Sequence, residues 1–223
     1  MEPFVITFSV LVIIIILLLF YGRRIYMNAQ LVNIDGQWNV SGNYENHIEA
    51  AMLISSVNNS IIEILRAIKY KYAVDKTDDV SRLYEYPAEL YPIVDTLLDN
   101  YNPDVFYEND PALSSDTSYT VNKGSAMYLC LRDREDPTKL VTKDTLLFVM
   151  LHEISHIANY NGWGHGIEFW EIFKFILNEA YLTGEYIPTD YSKYPVVYCG
   201  LEITYNPLLD DSLRNIWNKK LIN

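Results

Sequence analysis

This chain of 223 residues predicts an α+β fold: a helix carrying a metal site, packed on a small sheet, behind an N-terminal transmembrane helix. The first sign is the run from Phe4 to Tyr21, about 18 residues without a charge, long enough to span a bilayer core. The second is the crowding of three of the four histidines into His152-Glu153-Ile154-Ser155-His156 and Gly162-Trp163-Gly164-His165-Gly166. The third is a set of short β-branched and aromatic runs upstream of that motif, set among helical patterns.

A secretory signal would carry positive charge before its apolar core and small residues at a cleavage site. Here Glu2 and Pro3 precede the run and bulky Phe20-Tyr21 end it, so the segment is expected to persist as an anchor. Arg23 and Arg24 follow at once, and the positive-inside rule then puts the rest of a single-pass chain on the cytoplasmic side. The division expected is an anchor over 4–21, a juxtamembrane segment over 22–43 and one domain over 44–223. The sequons Asn39-Val40-Ser41 and Asn58-Asn59-Ser60 would report on a lumenal orientation.

Within the domain, apolar positions at Ile48, Met52, Ile61, Leu65 and Ile68 predict a helix from about Tyr44 to Ala73, with His47 as a surface or cap histidine at its start. Asp75 to Ser81 is a polar break, and Glu89 to Leu98 reads as a shorter helix. Val105–Tyr107, Tyr119–Asn122 and Ala126–Arg132 read as strands, the last two joined through Lys123-Gly124 as a hairpin, with a loop over 109–118. Ala126–Arg132 is expected at the sheet edge beside the site, where an extended peptide adds through main-chain hydrogen bonds; its Met127, Leu129 and Leu131 form a buried face. Tyr198 to Tyr205 is expected to return as a strand.

Thr142 or Asp144 can cap a helix running through the apolar stretch Leu146–Leu151, and Gly162 is a plausible stop. Residues four apart share a helix face, so His152 and His156 present two imidazoles to one metal ion. Glu153 points to the neighbouring side, where its carboxylate serves as a base for a water at the metal. Burying such polar groups without partners costs roughly 1 to 3 kcal/mol each, which a metal ion offsets; a pair of hydrogen-bonded core histidines is the alternative. A catalytic zinc keeps three protein ligands and one open position. His165, on a glycine-rich turn before a second apolar helix, is the favoured third ligand, and Glu179 on that helix is the rival.

The net charge of −12 argues against a nucleic-acid partner, whose phosphates this surface would repel. With Cys130 and Cys199 alone, no disulfide framework or four-cysteine zinc site is available; two buried free thiols are expected, with a bridge only if the fold brings them together. Among 19 tyrosines, Tyr194 and Tyr198 are weak candidates for stabilising an oxyanion.

The pattern HEISH, a spacer, then His165-Gly166-Ile167-Glu168-Phe169-Trp170 leading into an apolar helix resembles the SprT and WLM group of zincin metallopeptidases. Cys130-Leu131-Arg132-Asp133, the block from Asp190 to Pro195, and Tyr198-Cys199-Gly200 are similar to metallopeptidases predicted in large DNA viruses. The resemblance runs from about Thr120 to Leu208. It implies a zincin-like domain with His152, His156 and His165 binding zinc and Glu153 as general base; the anchor adds the expectation of a viral or host membrane. The chain departs from the group in its membrane segment and its acidic balance. The function expected is a membrane-anchored zinc endopeptidase acting on a protein or peptide substrate. A catalytically silent zinc-stabilised scaffold or virion membrane protein, and a zinc hydrolase of another substrate, are the alternatives.

Overall fold

Short strands build a central sheet and long apolar helices cover it. The computed structural model describes residues 3–72, 84–218 and 220–221, so the polar break expected from Asp75 to Ser81 lies outside the described residues. In chain order come α1 (Pro3–Ala29), β1 (Leu31–Ile34), β2 (Trp38–Ser41), α2 (His47–Tyr72), β3 (Tyr84–Glu85), α3 (Leu90–Asn100) and β4 (Phe106–Glu108). Then follow β5 (Tyr119–Val121), β6 (Ala126–Leu129), α4 (Lys143–Ala158), α5 (Ile167–Leu182), β7 (Val196–Tyr198), β8 (Leu201–Ile203) and β9 (Lys220–Leu221).

The main sheet has five strands in the order β1-β2-β4-β6-β5. β2, β4 and β6 run parallel, and the two outer pairs are antiparallel. The edge strand beside the motif helix is therefore β5, and the expectation that Ala126–Arg132 forms it is corrected. The reason lies in the side chains: Ala126, Met127, Tyr128 and Leu129 are all buried, as a strand apolar on both faces must be, whereas all three β5 residues are half-buried. The hairpin between them turns through Asn122, Lys123 and Gly124, all at positive φ, and a Cβ on Gly124 would meet the Asn100 carbonyl oxygen at 2.8 Å.

The stretch expected as juxtamembrane contributes β1 and β2 to this sheet, and Gly42 N–H closes the hairpin on the Gln30 carbonyl at 2.9 Å. Arg132 and Glu108, both fully buried, pair at 2.6 Å. The same Glu108 accepts from Ser41 N–H at 2.6 Å, while Arg132 donates to Asn46 and the Pro137 carbonyl and lies 4.0 Å from the Tyr44 ring centre. This node stitches the ends of β2, β4 and β6 together.

Helix α2 buries Ala50, Ile54, Val57, Ile61, Ile64 and Ile68 along one face, the spacing of a core helix. It is long and apolar enough to cross a membrane by length and composition, but that face is filled by the domain core. Helix α1 differs: its aliphatic side chains from Phe8 to Leu19 are exposed on all sides, with Leu17, Leu18 and Leu19 each above 60%. Thr142 caps α4 by accepting from Thr145 N–H at 3.3 Å, and Met150, Leu151 and Ile154 of α4 join Phe173, Ile176 and Leu177 of α5 in the core.

The strand expected from Tyr198 to Tyr205 is instead the hairpin β7–β8, reversed at Cys199 and Gly200 with φ of 50° and 83°. Cys199 is joined to Cys130 in a disulfide, so the expectation of free thiols is corrected. The hairpin folds back over the residue that follows β6, which sequence separation alone could not show.

Candidate metal centre

Helix periodicity places His152 and His156 one turn apart on α4, and the loop from Asn159 to Gly166 brings His165 back over them. Their Nε2 atoms converge: His152 to His156 is 3.2 Å and His152 to His165 is 3.0 Å. Nitrogens sharing a tetrahedral zinc at its usual bond length stand about 3.3 Å apart, so the spacing fits one ion. A single ring proton cannot satisfy both contacts to His152 Nε2, whereas a cation between the lone pairs satisfies all of them. Among the described residues these three form the one group of His, Cys, Asp or Glu side chains able to hold a metal.

Glu179 is not part of that group. It is fully buried on α5, accepting from Lys71 Nζ at 2.6 Å and from the Tyr72 hydroxyl at 2.8 Å. Its charge is matched by the end of α2, a structural use that its distance along the sequence from His156 does not reveal. His47, at the start of α2, hydrogen bonds through Nδ1 to the Tyr44 carbonyl at 3.0 Å, as a cap histidine would.

An aromatic shell holds the imidazoles. Phe169 stacks on His156 at 4.3 Å and meets His152 and His165 edge-on, while Trp170 stacks on His165 at 5.7 Å. Burial in this shell, followed by the mutual repulsion of the rings, pushes His152 down to about 3 and His156 down to about 4, so both stay neutral and their lone pairs stay available. Lys123, from the β5–β6 turn, donates to the Asn159 and Gly162 carbonyls and lies 5.1 Å from the Trp163 ring centre. It thereby pins the loop that carries His165. Phe169 and Trp170 stand in the sequence as part of an apolar helix, but nothing local marks Lys123 or the strand residue Thr120 as members of the site.

Glu153 is buried beside the histidines, and Thr120 Oγ1 donates to its Oε2 at 2.8 Å. Its Oε1 has no hydrogen bond among the described residues, and Glu153 lines the cleft. Burial pushes its carboxyl up to about 7, against the lowering effect of the Thr120 hydroxyl. A carboxylate that titrates near neutrality beside a three-nitrogen cluster is suited to passing a proton.

The cleft holds about 610 Å³. Its lining is of two kinds. β5 and its approach, Thr117 to Thr120, contribute hydroxyl-bearing residues to the lining; β8 and Thr204-Tyr205 together with Phe148, Val149, Trp170 and Phe173 contribute a largely aromatic and apolar part. Neither oxyanion candidate fits its expected part. Tyr194 is 69% exposed and lies outside the cleft lining. Tyr198 lines the cleft, but its hydroxyl donates to the Cys130 carbonyl at 2.7 Å, so Ser118 must be the donor in their mutual contact at 2.5 Å.

No protein-family model matches the chain. It is 26% identical over 201 residues to an uncharacterised protein of Acanthamoeba polyphaga mimivirus, covering 89% of this chain and 94% of the relative. It is 34% identical over 97 residues to an uncharacterised protein of Invertebrate iridescent virus 3, covering 43% of this chain and 57% of the relative. Crystal structures of Wss1 from Saccharomyces cerevisiae and of a Wss1 mutant each align with a TM-score of 0.44 at 16% identity, over 66% of this chain and 88 to 89% of theirs. That is a partial likeness of chain path, and the chemistry of the site rests on its own residues. The chain is thus similar to uncharacterised proteins of two viruses, and it carries a three-histidine group in an open cleft.

Proposed function

We propose that the chain is a zinc-dependent peptidase carried on a membrane by α1. The observation that supports it most is the convergence of three Nε2 atoms at tetrahedral spacing beside a buried carboxylate with one oxygen facing the cleft. When bound, zinc would supply a Lewis acid that polarises a carbonyl and acidifies water. Thr120 fixes one oxygen of Glu153, leaving the other to take a proton from a water in the cleft and return it to the departing amine. The peptide preference is supported by β5, since no described strand pairs with its outer side and its hydroxyl-lined approach borders the site. An extended chain laid along that edge brings its carbonyl groups past Glu153.

Helix α1 supports the anchor: 27 residues rise about 40 Å, beyond the roughly 30 Å of a bilayer core, and the exposed Phe8–Leu19 surface suits lipid. Arg23-Arg24 favour the cytoplasmic side for the domain, while the Cys130–Cys199 disulfide favours an oxidising space. We assign the cytoplasmic side. The sequons are poor reporters, because Asn58 is buried and accepts from the Tyr101 hydroxyl at 2.6 Å and Asn39 donates to the Phe106 carbonyl. Protease protection of a C-terminal tag in sealed membranes decides instead, and a protected tag in right-side-out plasma-membrane preparations is expected; a digested tag reverses the assignment.

Zinc analysis and a peptide-library digest of the wild type and Glu153→Gln test the chemistry. Glu153→Gln is expected to keep zinc and lose hydrolysis by about 100-fold or more. A zinc-loaded wild type that cleaves no peptide, with Glu153→Gln retaining the biological role, would replace this reading with a zinc-stabilised scaffold.

A further inference from the structure

Two parts of the cleft lining divide the work of recognition. β5 lines the cleft as an edge strand with no described strand on its outer side, and such an edge reads a backbone and not a side chain. The same cleft contains an aromatic chamber. Phe173 lies 5.3 Å from His152 and 5.2 Å from Phe148, and Trp170 lies 6.3 Å from His152 and 5.2 Å from Tyr205. Val149, three residues before His152 and so on the same face of α4, and Ile203 of β8 line the cleft with them. The chamber opens directly beside the metal group. Glu202 lines the same cleft, and the chain carries a net charge of −12, so an acidic side chain is disfavoured there.

Resting on the peptidase reading above, we infer that the chamber selects a bulky apolar side chain, aromatic above all, at the residue next to the bond that is cut. Successive side chains of an extended peptide point to opposite sides, so a backbone paired to β5 sends alternate side chains toward the chamber and away from it. The chamber rings offer edge and face contacts to an aromatic guest, and filling it removes more apolar surface from water than an alanine could. A difference of at least about tenfold between phenylalanine and alanine at that position is expected. Tyr205 completes the lining: it packs on Trp170, and its hydroxyl donates to Asp210 at 2.6 Å.

The test uses the full chain in detergent micelles, with fluorescent peptides identical except for Phe, Leu, Ala or Asp at one position. Cleavage is measured with the zinc-loaded wild type, and binding is measured by anisotropy with Glu153→Gln. Phe is expected to exceed Ala by at least tenfold in both, with Asp weakest. Val149→Trp, which adds bulk to the apolar lining, is expected to reduce the Phe-to-Ala ratio by about tenfold while zinc content is unchanged. Cleavage without side-chain preference overturns the chamber and leaves the peptidase reading standing. Selective binding of the Phe peptide without wild-type cleavage supports the chamber and overturns the peptidase reading. No binding and no cleavage overturns both.

Discussion

Breaking the Cys130–Cys199 bond is expected to cost about 4 kcal/mol. The two residues are 69 positions apart, and the chain-entropy relation for a loop of that length gives roughly 4.4 kcal/mol at 25 °C. For a protein of this size that corresponds to a fall in Tm of about 8 to 16 °C. The measurement is thermal unfolding by circular dichroism of the full chain in micelles, oxidised and reduced, with Cys130→Ser/Cys199→Ser as the permanent counterpart. Because the bond clasps β7–β8 onto the residue after β6, hydrogen exchange should rise first in that hairpin, before α4 is affected. Oxidised and reduced melts that coincide within about 2 °C would refute the reasoning, since the closed loop would then contribute nothing to the difference between folded and unfolded states.

His165→Ala should lower zinc affinity by at least about tenfold in chelator competition, while Glu179→Ala should leave affinity intact and cost about 2 to 3 kcal/mol by stranding Lys71 and Tyr72; the reverse ranking would make Glu179 the ligand. Lys123→Met should release the loop that it holds to Asn159 and Gly162 and weaken zinc by about tenfold without changing Tm by more than a few degrees; unchanged affinity would show that the aromatic shell alone positions His165. Glu108→Gln should cost about 3 to 5 kcal/mol in urea unfolding by leaving the buried Arg132 unpaired, and the double variant Glu108→Leu/Arg132→Met should cost less than that single change.

How much of this could be read from the residues follows from how local each signal is. The histidine pair and Glu153 lie within about one helical turn, and His165 stands close to them in the chain. The helix pattern of α2 was also plain, with ends at His47 and Tyr72 close to those expected. Strand order is not local. The edge position of β5 depends on β4 arriving parallel to the far side of β6, although the unbroken apolar run Ala126–Leu129 already carried the signature of an interior strand. The hairpin β1–β2 carries a weak sequence signal because its strands are four residues each and hold asparagines at Asn33 and Asn39, which hydrogen bond to each other at 3.0 Å. β7–β8 was hidden by a turn that puts Cys199, a residue with a Cβ, at positive φ.

The strand order also fixes the geometry of attachment. Helix α1 ends at Ala29 and feeds β1 through Gln30 alone, while the cleft borders β5 at the other edge of the sheet. Four strand spacings separate the two edges, about 19 Å. The cleft therefore stands at the far end of a short arm that begins where α1 meets β1. On the peptidase reading, a molecule cannot feed that junction into its own cleft, because Gln30 is held in the opposite hairpin by Gly42. With α1 as a membrane anchor, any release of the domain by self-processing would have to occur between neighbours, with a rate that rises with the square of their surface density.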